Sequence, residues 1–82
     1  MDWHPEYRLD PPRIAFRFAA GGQSHAGSIS LDALAALAGI PVHSAEEATL
    51  AYFNHWRHVH SAALGLRAKG QKLPFVSRED VE

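Results

Sequence analysis

The sequence predicts a compact α+β domain over residues 1–82: a β-hairpin, then two α-helices and a short C-terminal edge strand, with the helices packed on one face of a small antiparallel sheet. Three observations carry this reading. RIAFRFAA, residues 13–20, alternates in side-chain direction with period two. Gly21-Gly22 follows as a turn, and two stretches with helical spacing come after it. The third is length. With 82 residues there is room for one modest core, since a chain of this size buries only about 60% of the surface its unfolded form exposes.

The elements follow in chain order. Residues 1–12, MDWHPEYRLDPP, hold Pro5, Pro11 and Pro12 and read as an extended arm, pinned to the body by Trp3 and Tyr7. Residues 13–31 form the hairpin, with Ile14, Phe16, Phe18 and Ala20 pointing one way and Arg13, Ala15, Arg17 and Ala19 the other. Ile29 anchors the second strand. Ser30 caps a first helix over residues 31–39, whose apolar stripe is Leu31, Leu34 and Leu37 or Ala38 and which Gly39 and Pro41 stop. Ser44 and Glu47 then make a capping box that opens a second helix over residues 45–69. Nothing breaks it before Gly70, although Gly65 costs about 1 kcal/mol relative to Ala. Phe53 is expected at the centre of the core. Residues 73–76 close the fold as an edge strand, because Pro74 excludes a central one.

Composition removes several function classes. The chain is 46% hydrophobic and 21% charged, ordinary for a globular protein. It has no cysteine, so neither a disulfide framework nor a thiolate zinc site is available. The fold must stand on packing alone, or on packing plus a second copy. A formal charge of -1 gives no long-range field to attract nucleic acid or anionic lipid. No apolar run approaches the ~20 residues of a membrane span, and no leader pattern opens the chain. A cytoplasmic, reducing location is the expectation.

FNHWRHVH, residues 53–60, gathers three of the six histidines and is the one run with a chemistry to offer. On a helical wheel with Ala48 at zero, His55 and His58 share the polar side, whereas His60 stands about 120° round beside Trp56. The pair His55 and His58 could give a metal two imidazoles, and a third ligand would have to come from His25, His43 or a carboxylate. The blander reading is a solvated pair, and no metal or other cofactor is expected. His60 reads as a core histidine bonded to a carbonyl or hydroxyl. Arg57 borders the apolar stripe, its stem packed and its head in water.

Catalytic patterns are missing. Ser24, Ser30, Ser44 and Ser77 sit at turns and caps where local hydrogen bonding accounts for them. There is no nucleophile elbow, no phosphate-binding glycine loop and no apolar carboxylate pair. No catalytic residue and no enzyme are therefore expected. Arg13 and Arg17 share a solvated strand face, but Phe16 and Phe18 point away from them, which separates the two halves of a nucleic-acid platform.

The chain resembles a family of small bacterial proteins catalogued as domain of unknown function 1488. The resemblance runs through WHPEY in the arm, Ile14 to Phe16, Gly22, Ile29-Ser30 leading to Leu34, and FNHWR from Phe53 to Arg57. It covers most of the chain. The family pattern opens with a short β segment, which the prolines here weaken, and has an aliphatic residue where His60 stands. The resemblance implies no catalytic residue.

The function expected from these readings is a small non-catalytic bacterial protein-binding or regulatory module. Two alternatives stand beside it: a transition-metal or small-ligand binder using His55 and His58, and a nucleic-acid-associated regulator. The apolar surface of the second helix, wider than one sheet needs, further implies a homodimer. Tyr52, Trp56, Arg57 and His60 are the candidate interaction surface.

Overall fold

In a computed structural model, which describes residues 3–82, the chain is an α+β fold with a four-stranded mixed sheet and three helices. The strands are β1 (Glu6–Arg8), β2 (Arg13–Ala20), β3 (Gln23–Ser30) and β4 (Phe75–Val76), in the order β1-β2-β3-β4. The helices are α1 (Leu31–Ala38), α2 (Ala45–Ala68) and α3 (Arg78–Val81).

The expected arm contains a strand. Glu6, Tyr7 and Arg8 pair antiparallel with Ala15, Ile14 and Arg13, because the three residues between the prolines all keep their amide donors. This register puts Tyr7 on the core side beside Ile14. The Arg13 guanidinium donates to the carbonyls of Leu9 and Pro11 at 3.0 and 2.9 Å, fastening the turn into β2.

The hairpin closes at Ala20↔Gln23 through Gly21 and Gly22, both at positive φ, as a two-residue turn between twisted strands demands. Ile14, Phe16, Phe18 and Ile29 are buried on one face, while Arg17 and Ala19 on the other are exposed. Opposite Phe16 stands Gly27, where an added Cβ would meet the rings of Phe16 and Phe18 at 3.2 Å. The strand carries a glycine here because two rings occupy its side-chain space.

Ser30 Oγ accepts from Ala33 N–H at 3.0 Å to start α1, and Gly39 at φ 72 ends it, its N–H donating to Ala35 O. Ser44 Oγ accepts from Glu47 N–H at 3.1 Å to start α2. Glu47 reaches back one residue further than a capping box does, accepting from His43 N–H at 3.2 Å. The helix is not continuous: His55, at φ -127 and ψ 18, breaks it into two halves. Neither Pro nor Gly lies near, and nothing in the structure explains the break.

The sheet is mixed because β4 runs parallel to β3, with Ser28↔Phe75 and Ile29↔Val76. The chain leaves β3, crosses two helices on one face and returns in the same direction, so the antiparallel sheet expected from the hairpin does not extend to the last strand. This strand is shorter than residues 73–76: Leu73 is 74% exposed, and Pro74 contributes only its carbonyl, to Ser28 N–H at 2.9 Å. After it comes α3, which the sequence reading missed. Ser77 and Asp80 box its start, and Arg78 pairs with Asp32 of α1 at 3.1 Å.

Phe53 is not a core residue. It is 42% exposed, because it stands ~140° round α2 from Ala48, outside the stripe that one sheet can cover. Tyr52, Val59 and Ala63 fill the core instead. Among the described residues no helix is long and apolar enough to cross a membrane. Denaturant unfolding of dilute protein separates the two phenylalanines: Phe16→Ala is expected to cost about 3 to 5 kcal/mol and Phe53→Ala less than about 1 kcal/mol.

Candidate functional site

Two places hold the residues singled out from the sequence: an enclosed ring cluster between β2 and α2, and the outward face of α2. The cluster is built from three elements. Alternation along β2 aims Phe16 at the helix layer, helical spacing brings Tyr52, Trp56 and His60 to the same side, and the first described residue, Trp3, closes the edge. Trp3 is held by its own carbonyl, which accepts from Arg17 N–H at 2.7 Å. Its ring lies 4.1 Å from that of Trp56 and meets His60 edge-on at 5.0 Å. Phe16 stacks on His60 at 5.2 Å and faces Tyr52 at 5.3 Å.

The polar atoms inside this cluster satisfy one another. Tyr52 Oη and His60 Nε2 are 2.5 Å apart. Burial pushes the Tyr52 phenol well above its ordinary range and the His60 imidazole below its own, so both stay uncharged at neutral pH. The phenol is the better donor and the bare imidazole nitrogen the better acceptor, so Tyr52 donates to Nε2. Tyr52 is fully buried, which removes it from the candidate interaction surface. No substrate reaches its hydroxyl without displacing packed rings.

Trp56 and His60 are half-buried, and Arg57 is exposed, with its guanidinium carbon 5.2 Å from the centre of the Trp56 ring. The four residues therefore do not form one patch: Tyr52 and His60 turn inward, and Arg57 lies over the outer side of Trp56. His55 and His58 fare no better as ligands. His55 is half-buried at the break and His58 is exposed. Among the described residues no group of three or more His, Asp or Glu side chains could hold a metal ion. His25, one possible third ligand, points its Nε2 at Ala20 O, 3.2 Å away.

The open face of the sheet carries Arg13 and Arg17, both already engaged: Arg13 with its turn, Arg17 with Ser24 Oγ and Ser24 O at 3.1 Å each. Phe75, opposite Ser28 on this face, is the one aromatic the sequence reading did not place there. A single ring beside occupied arginines is a poor platform for stacked bases.

The outward face of α2 is the surface that sequence reasoning misjudged. Leu50 is 62% exposed, Phe53 42% and Leu64 47%. Around them the exposed positions Asn54, Arg57, His58, Ser61, Gly65 and Ala68 keep the helical rhythm on both sides of His55. The signal was present as the seven-residue spacing of Leu50, Arg57 and Leu64. Such a face has no acid, base or nucleophile in a cleft, and can only bury apolar area against another surface.

In comparison with known proteins, no family model matches the chain, no curated protein matches it and no solved structure matches it.

The ring cluster predicts a pH dependence. His60 has its pKa lowered by folding, so on acidification the unfolded chain takes up a proton at about 6.5 that the folded chain resists. Stability present above that pH is lost as the pH falls from about 7.5 towards the lower folded value. Urea unfolding at a series of pH values should therefore show wild type losing more stability over this range than His60→Gln does. Equal slopes would mean that His60 titrates as freely in the folded protein as in the unfolded one.

Proposed function

We propose that this chain works without catalysis, as a small cytoplasmic protein-binding or regulatory module whose contact surface is the outward face of α2. The observation that carries the reading is the line Leu50, Phe53 and Leu64, exposed on the side of the helix away from the sheet. Scattered exposed apolar residues need no explanation, but three within ~60° of arc along one helix form a stripe of the kind that packs on a partner helix. The Tyr52–His60 pair is spent on the core, and His55 with His58 lacks a third ligand within the chain, so the metal-binding alternative has less support.

Kinship with the family of domain of unknown function 1488 belongs to the same proposal. What supports it is that its two aromatic motifs meet, WHPEY contributing Trp3 and FNHWR contributing Trp56 to one pair of rings.

The test is a photo-crosslinking side chain placed in living source cells at position 53, with position 19 on the open sheet face as the control. Adducts to polypeptide at position 53, absent at position 19 and lost when Leu50→Glu is added, are the expected result. Equal yields at both positions, or none at either, would remove α2 as the contact surface.

A further inference from the structure

The partner of that surface can be named from its own layout. We propose that the outward face of α2 binds a second copy of this chain, the two helices lying antiparallel about a two-fold axis at Arg57. The proposal rests on the reading of α2 as the contact surface. Its first support is shape. The N-terminal half of the face carries the bulk, Leu50 and Phe53, and the C-terminal half carries the small residues Ser61, Gly65 and Ala68 around Leu64. Leu50 and Leu64 both stand seven residues from Arg57, so an antiparallel pair centred there sets each Leu50 against the partner's Leu64. The knob Leu50 then enters the hole bounded by Ser61, Leu64, Gly65 and Ala68 of the other copy. Phe53 lies beside Ser61 and the Arg57 stem. A parallel pair would put bulk on bulk at one end and leave a gap at the other.

The second support is Gly65. A glycine inside a helix is unfavourable, and here nothing in the chain requires it: an added Cβ would meet no atom within 4 Å, and its backbone is not at positive φ. In the antiparallel pair it forms the floor of the Leu50 hole, where a close approach does require it. Gly27, by contrast, is fully explained by the rings beside it.

Charge is the third. Glu46 lies at the start of the face, and Arg67 and Lys69 flank its end. Antiparallel pairing brings the acidic start of each helix to the basic end of the other and opposes the two helix dipoles, whereas parallel pairing stacks like charges. The central arginines do not collide head-on, because each guanidinium is drawn sideways over Trp56.

Sedimentation equilibrium on untagged protein should show the average mass rising from one chain to two with concentration. Phe53→Glu should hold it at one chain with an unchanged circular dichroism spectrum. Gly65→Ala is the sharper variant: it should raise the denaturation midpoint of the dilute monomer while weakening association several-fold. The chain has no cysteine, so orientation can be read from introduced thiols. Arg57→Cys should form a disulfide across the axis, Leu50→Cys alone should not, and Leu50→Cys mixed with Leu64→Cys should. A monomer at every concentration, a Leu50→Cys disulfide with itself, or tighter association in Gly65→Ala would overturn the proposal. If the monomer persists while position 53 still crosslinks in cells to a different polypeptide, the surface stands and only the second copy falls.

Discussion

The contact between Phe16 of β2 and Tyr52 of α2, with ring centroids 5.3 Å apart, sets the spacing between the two layers, and the rest of the molecule adjusts to it. A chain of 82 residues can fill one such interface and no more. With two rings at its centre, the strand beside Phe16 must carry a glycine, since a Cβ at Gly27 would press on both Phe16 and Phe18. The edge of the cluster must be closed by a further large ring, which Trp3 supplies from outside the paired strands. The polar atoms trapped there must satisfy each other, which Tyr52 and His60 do.

Much of this frame was legible in the residues. Alternation in RIAFRFAA and the glycine pair gave β2, β3 and their turn, and Ser30 and Ser44 gave both helix starts, because these are local rules with little competition. The errors lie where distant partners decide. Three residues between prolines look like a loop until β2 offers them an edge to pair with, and β4 is parallel only because of where the helices return the chain. The Ser77 and Asp80 pair that starts α3 has the same logic as the earlier caps, but the helix it opens is a single turn.

Phe53 was misjudged for a different reason. Its size argues for burial, but its position on the wheel argues against it, and on a helix covering one sheet angle outweighs size. Tyr52, one residue earlier, is fully buried for that reason alone. The same geometry makes the outward face legible after the fact: once the sheet claims the stripe through Ala48, Tyr52, Val59 and Ala63, apolar residues on the far side have no work inside the chain.

The break at His55 links the two regions. Tyr52 lies before it and His60 after it, so the hydrogen bond between them spans the one point where the α2 backbone leaves helical geometry. Packing alone is tolerant of small rotations, because apolar contacts have no preferred direction; an O–H···N bond in a desolvated site is directional, and misaligning it leaves buried polar atoms unpaired. The bond thus limits how the two halves of α2 can turn against each other. Leu50 and Phe53 belong to the first half and Ser61, Leu64 and Gly65 to the second, so the line they form on the outside is set by an uncharged pair on the inside. A wholly apolar pair at positions 52 and 60 could fill the same space, but it would leave that line free to bend.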